Sequence, residues 1–189
     1  KGFYYCFGCH AKGDAISFVK ETENVNFIEA VEILAKEAGL QMPEQDPQAK
    51  EKSSYRDELF KIMDLSLRFY QRSLSSAKGG RALDYIKSRK LTSEIIDEFE
   101  LGFAPNSRTE LFDYLSDKNI PEQQIIDTGM CLRPDDGGAV YDRFRDRIMY
   151  PIRDSQGRCI AFGGRAMSQN ARAKYLNSPE TKLFDKGRS

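Results

Sequence analysis

The sequence predicts an α+β chain: a small cysteine-bearing region with helices, a linker, then a mixed domain with helices first and an antiparallel β region last. Three observations carry that reading. Apolar residues recur at helical spacing between Asp14 and Gly39 and again from Tyr55 to Gly129. After Gly129 the pattern becomes short apolar runs separated by Gly- and Asp-rich turns. Between them, Met42 to Ser54 is rich in Pro, Gln, Glu, Lys and Ser and has no apolar period, as a solvated linker would. The implied boundaries are 1–43, 44–54 and 55–189.

Taken in order, Phe3-Tyr4-Tyr5 reads as the end of a strand and Cys6-Phe7-Gly8-Cys9 as a tight turn. Asp14 is placed to cap a helix packed through Ile16 and Val19. Asn26 to Glu29 has the form of a capping box, Ile28, Val31, Leu34, Ala35 and Ala38 share one helical face, and Gly39 ends that helix. A long amphipathic helix is expected at 55–76, interrupted by Gly79-Gly80. Shorter ones are expected at 81–88, at 92–99 with Thr92 or Ser93 capping, at 108–117, and at 121–127 with Pro121 in the first turn. Everything up to Gly129 in this part reads as helical. Beyond it, Met130-Cys131-Leu132, Arg147 to Ile152 and Arg158 to Phe162 read as strands, the last two joined as a hairpin by Asp154-Ser155-Gln156-Gly157.

Composition narrows the class. The chain has 189 residues, 40% of them hydrophobic and 31% charged, which suits a soluble globular chain and not a disordered one. No apolar run approaches the roughly 18 residues a membrane helix needs, so no membrane partner is expected. Lys1-Gly2-Phe3 has neither a signal-peptide pattern nor an initiator Met, and the chain reads as an internal piece of a longer protein. Cys6, Cys9, Cys131 and Cys159 form one close pair and two singletons, which fits a reducing, cytoplasmic compartment. The zero net charge hides an asymmetry. Residues 1–140 hold 18 basic and 24 acidic side chains, whereas 141–189 hold 11 basic and 5 acidic. That imbalance points to a polyanionic partner held by the last quarter of the chain, against the plainer alternative of a solvated charged face.

Three clusters could carry chemistry. In Cys6-Phe7-Gly8-Cys9, two thiolates three positions apart on a turn can face one metal ion. A thioredoxin-like redox pair competes, but it needs a helix starting at the first Cys, and Gly13-Asp14 delays the helix here, which favours zinc. His10, directly after Cys9, is poorly placed to join the same tetrahedron. In Tyr141 to Arg147, an extended backbone would project Arg143, Arg145 and Arg147 from one face, with Asp142 and Asp146 orienting them, a set suited to phosphates or to a charged edge strand. The third cluster is Phe162-Gly163-Gly164-Arg165 with Lys174-Tyr175. Paired glycines allow close backbone approach to a ligand, and a Lys beside a Tyr offers charge for phosphate and a ring for a base, or an ordinary loop around a buried Tyr. Together with the basic balance these favour nucleic acid.

At this point the blocks become recognisable. Tyr5-Cys6-Phe7-Gly8-Cys9 with Gly13-Asp14-Ala15-Ile16, Leu101-Gly102-Phe103-Ala104-Pro105, Tyr141-Asp142-Arg143-Phe144-Arg145, Met149 to Asp154, Phe162-Gly163-Gly164-Arg165 and Lys174 to Thr181 strongly resemble bacterial replicative DNA primases, in order and across the chain. The resemblance implies that 1–43 is the second half of a zinc ribbon, truncated here, with Cys6 and Cys9 as two of four Zn²⁺ ligands. It implies that 55–189 is the N-terminal, basic subdomain of the RNA polymerase core. Arg89 and Arg165 match residues that hold template DNA, and Arg143, Arg145, Lys174 and Tyr175 match residues of nucleotide binding and initiation. The implied activity is primer synthesis from ribonucleoside triphosphates on a single-stranded DNA template, with Mg²⁺ or Mn²⁺, alongside the replicative helicase and single-strand-binding protein. Neither the first Cys-x-x-His half of the ribbon nor the metal-binding Toprim subdomain is present, so this chain alone is not expected to polymerise. The alternative is a non-catalytic single-strand-binding or helicase-loading module, or a piece of a phage-type primase-helicase.

Overall fold

The computed structural model describes residues 2–8, 10–23, 25, 27–40 and 47–187. They divide into two compact units, Lys1–Ala49 and Lys50–Ser189. In the first, β1 (Phe3–Tyr5) and β2 (Lys12–Asp14) pair antiparallel, Tyr4 opposite Gly13. Two helices follow, α1 (Ala15–Glu23) and α2 (Phe27–Glu37). Asp14 caps α1 as its position suggests, accepting a hydrogen bond from the Ser17 backbone N–H at 2.8 Å. The capping box expected at Asn26 lies outside the described residues. The end of α2 is closed by Gly39 N–H donating to Lys36 O and Leu40 N–H to Ala35 O, the bond pattern of a Schellman motif.

Most of α3, which runs Pro47–Ser75 and so starts eight residues earlier than the periodicity indicated, belongs to the second unit. Residues 51–54 are exposed on every side, so no apolar stripe marks them, while Pro at the first position and the Glu, Lys and Gln that follow suit a helix start. A 3-10 turn (Ala77–Gly79) leads into α4 (Gly80–Ser88), then α5 (Ser93–Glu98) with Thr92 as its cap. The expected all-helical run to Gly129 is broken by a strand, β3 (Gly102–Ala104). It is three residues long and buried throughout, so it shows no alternation. Next come α6 (Glu110–Ser116), α7 (Glu122–Asp127) and a small pair of strands, β4 (Cys131–Leu132) with β5 (Tyr141–Asp142).

The main sheet completes the unit. The expected hairpin is present as β6 (Arg147–Arg153) and β7 (Cys159–Ala166), and β8 (Tyr175–Asn177) adds to β7, for the antiparallel order β3-β6-β7-β8. Both faces of β6 are covered, because neighbours Ile148 and Met149 point to opposite sides and are each fully buried. Met149 joins the core built by Leu59, Met63 and Tyr70 of α3 with Phe162 of β7. Ile148 joins a second cluster with Leu74, Ala82, Ile86, Leu101 and Phe103. The α3 side is packed to backbone contact: a Cβ at Gly102 would lie 2.5 Å from Tyr70 Cβ and 2.9 Å from the Tyr70 carbonyl carbon. The α+β class therefore stands, with a helix on each side of the sheet.

Candidate nucleic-acid interface

A cleft of about 370 Å³ opens between α4 and the sheet. Local rules explain its lining. Tyr85 of α4 and its C-cap residue Arg89 are four residues apart and lie on one side of the helix. On the sheet, Tyr150 lies opposite Gly163, Gly163 opposite Asn177, and Arg165 opposite Tyr175, so residues of three strands project from one face. Tyr85, Arg89, Tyr150, Gly163, Arg165, Tyr175 and Asn177 all line this cleft. Gly163 contributes a bare floor. Its neighbour Gly164 serves packing instead of a ligand, since a Cβ there would meet Phe144 Cδ1 at 2.9 Å and Arg147 Cδ at 3.0 Å.

Two arginines supply charge. Arg89 is exposed at the C-terminus of α4. Arg165 holds its guanidinium carbon 4.1 Å from the centre of the Tyr85 ring and donates one hydrogen bond, from Nη1 to the Ala166 carbonyl at 3.3 Å. Tyr175 is 66% exposed, which makes it a free ring face and sets aside the reading of a loop around a buried Tyr. Tyr150 is 38% exposed. Burial raises its phenol pKa, the Arg165 charge opposes that rise, and the neighbouring phenols of Tyr85 and Tyr175 add to it. Lys174 lines an adjoining depression of about 280 Å³ with Arg165, Ala166, Met167 and Ser168, and its Nζ lies 5.6 Å from the Tyr175 ring centre.

The block from Tyr141 to Arg147 is arranged differently from the expected row of three guanidinium groups. β5 stops at Asp142, and Asp146 turns the chain with φ of 50°, so the arginines do not alternate along one strand. Arg143 is half-buried and donates from Nε and Nη2 to the Asn177 carbonyl at 3.2 and 2.9 Å, tying down the edge strand β8. Arg147 is buried and donates to the carbonyls of Gly164 (3.2 Å) and Ala173 (2.9 Å), which anchors the segment leading to Lys174 and Tyr175. Arg145 alone is exposed, 5.8 Å from the Tyr141 ring centre. Nor does Asp142 orient the arginines. It is buried, and its two carboxylate oxygens accept the Leu111 and Phe112 backbone N–H groups at 2.8 and 3.0 Å, capping α6 from 30 residues away. Burial raises its pKa to about 6, against the lowering by those two N–H donors.

Of the residues singled out in the sequence, the fold thus brings Arg89, Arg165 and Tyr175 into one cleft and Lys174 beside it. Arg143 touches it only through Asn177. Tyr85 and Tyr150 are the residues that sequence reasoning missed. The signal for Tyr150 was its place between buried Met149 and the hairpin, and that for Tyr85 its spacing from Arg89.

In the first unit, the Cys6 thiol is exposed on the turn after β1. Cys9 lies outside the described residues. His10 is hydrogen-bonded through Nδ1 to the Tyr5 hydroxyl at 2.8 Å. Among the described residues no three or more His, Cys, Asp or Glu side chains cluster to hold a metal ion, and no helix is long and apolar enough to cross a membrane. Cys131 and Cys159 are buried within the second unit, and burial pushes both thiols well above the ordinary range, so neither is poised as a ligand or nucleophile.

Comparison with known proteins agrees with both units. Residues 69–189 match the DNA primase catalytic core, N-terminal domain, and residues 1–50 match the CHC2 zinc finger. The DNA primase of Pseudomonas putida is 43% identical over 190 residues, covering 99% of this chain and 29% of that protein. That of Escherichia coli is 42% identical over 191 residues, covering 100% of this chain and 32% of that protein. A DnaG primase catalytic domain bound to single-stranded DNA superposes with a TM-score of 0.66 at 43% identity, over 72% of this chain and 42% of that one. The zinc-binding and RNA polymerase domains of Aquifex aeolicus primase give 0.63 at 33% identity, over 98% of this chain and 43% of that one. The chain thus spans less than a third of the curated relatives' length.

Proposed function

Since the chain belongs to the DNA primase family, through its catalytic-core N-terminal domain and its CHC2 zinc finger, we propose that it holds single-stranded template for the primer synthesis carried out by the whole protein. The observation that carries this is the meeting of Arg89 and Arg165, 76 residues apart, on one cleft with the exposed ring of Tyr175. Two cations that make no ion pair among the described residues, spaced along a groove, track phosphates, and an open ring face accepts an unstacked base of any identity. Lys174 beside Arg165, together with the exposed Arg145, is the candidate set for the triphosphate of an initiating ribonucleotide. Arg143 acts on that set by fixing the edge strand that carries Tyr175.

The share of these residues in catalysis is positioning, where small displacements of a template or nucleotide are costly in rate. In the whole protein, Mg²⁺ or Mn²⁺ would activate the attacking 3′-hydroxyl and stabilise the leaving pyrophosphate. Cys6 and Cys9 would supply two thiolates to a structural Zn²⁺. The setting is cytoplasmic, with the replicative helicase and single-strand-binding protein as partners of the whole protein. A non-catalytic binding module is not favoured, since the relatives that match across this chain are DNA primases.

Fluorescence anisotropy with a labelled single-stranded oligodeoxynucleotide over a salt series tests the cleft. Binding should strengthen as salt falls. Arg165→Ala should weaken it and flatten its salt dependence by about 0.7 to 1 unit of slope, whereas Arg56→Ala, at the far end of α3, should do neither. An Arg165→Ala chain that binds like the parent removes this cleft from the template path.

A further inference from the structure

Apart from Arg147, which bonds backbone carbonyls, the arginines at β6 and β7 are held in two ways. Arg153 and Arg158, at the hairpin end of β6 and β7, are ion-paired with Glu100 and Asp154. Arg158 also stacks on Phe60 at 4.1 Å, so a ring contact and a carboxylate share that side chain. Arg165, on the same strand as Cys159 and Phe162, makes the same 4.1 Å ring contact with Tyr85 and no ion pair among the described residues. The difference has a physical meaning. A carboxylate would hold Arg165 but cancel its charge and occupy the donors a phosphate needs. An aromatic face restricts the guanidinium plane and leaves nearly all its N–H groups unused.

We propose that Tyr85 is a positioning residue of the cleft: its ring holds the Arg165 guanidinium in place for a phosphate while leaving the charge un-neutralised. The proposal rests on the template reading above. Tyr85 is suited to the task because it is itself fixed. It sits on α4, half-buried against the second core cluster, one turn before Arg89. The same helical turn therefore sets the spacing of both cations, Arg89 directly and Arg165 through the ring. A strand arriving at the cleft meets two charges already in register, and the rotamer entropy of one long side chain has been spent on folding.

A double-mutant cycle in the anisotropy assay separates this role from simple packing. Tyr85→Phe keeps the ring and should bind as the parent does. Tyr85→Leu keeps apolar bulk without the ring and should weaken binding about 2- to 5-fold, the worth of a partly exposed cation–π contact. In an Arg165→Ala background, Tyr85→Leu should cause no further loss. Tyr85→Glu, which offers Arg165 a carboxylate, should flatten the salt dependence as far as Arg165→Ala does, by about 0.7. The proposal is overturned if Tyr85→Leu binds like the parent, or if it loses the same factor with and without Arg165, which is also what a folding defect would produce. If Arg165→Ala itself has no effect, the cleft reading fails; if it weakens binding while Tyr85→Leu does not, only the role of Tyr85 fails.

Discussion

Asp142→Asn puts two opposing forces on one carboxylate to a direct test. The parent side chain caps α6 through the Leu111 and Phe112 N–H groups and is buried. Thr109, the N-cap of that helix by position, spends its hydroxyl on Asp113 and makes no capping bond. Asn can accept from one N–H with its carbonyl oxygen but turns an amide donor toward the other, which leaves one buried donor unmet at a cost of about 1–3 kcal/mol. Against this, Asn removes a buried charge. The rise from 3.8 to about 6, the net of burial against the N–H donors, corresponds to about 3 kcal/mol at 1.36 kcal/mol per unit. Because this net figure already counts the acceptor lost on neutralisation, at pH 7.5 Asp142→Asn should be as stable as the parent or more so, by up to about 3 kcal/mol. The pH dependence is sharper. With its pKa raised, the folded parent holds a proton between about pH 4 and 6 that the unfolded chain has released, so acidification through this window favours folding. From pH 7.5 to 5 the parent should gain about 1.4 kcal/mol on Asp142→Asn. Urea unfolding followed by circular dichroism at both pH values measures the difference, and suits a chain with no Trp. A parent that gains nothing on Asp142→Asn between pH 7.5 and 5, or loses ground to it, would refute the reasoning: the N–H donors would then outweigh burial and hold the carboxyl at or below its ordinary range.

Two further outcomes are expected. Gly102→Ala should destabilise the second unit by about 1–3 kcal/mol, read as a lowered urea midpoint, because the added Cβ would lie 2.5 Å from Tyr70 Cβ on a helix that cannot retreat without opening the core. On the proposal that Cys6 and Cys9 supply two of four ligands, the 189-residue chain should hold zinc weakly; metal analysis after gel filtration checks this, and a stoichiometric ion that survives mild chelation would show two ligands beyond those named.

The elements legible in the sequence are those written in local chemistry. Thr92 before Ser93, Asp14 before Ala15, and the Asp154–Gly157 turn between two apolar runs each set a helix start or a hairpin within a few residues. Arg89, Arg165 and Tyr175 were also legible one at a time, through the blocks that resemble primases. The misses have a common cause. β3 is three buried residues whose partner, β6, lies some 45 positions on, and nothing local distinguishes Gly102–Ala104 from a loop. Residues 51–54 of α3 are all exposed, so they carry helix propensity without a stripe. Arg147 alternates with Arg145 on paper, but Asp146 turns the chain, and Arg147 goes inward to bond carbonyls that pairing with β7 and the approach of residues 173 and 174 bring near. Caps, turns and apolar periods were settled by residues within one turn of each other. Which arginines face a ligand, which brace the strands, and that Tyr85 lies under Arg165 depended on strand register and on a helix laid across the sheet, contacts between residues up to 80 positions apart that the linear order does not encode locally.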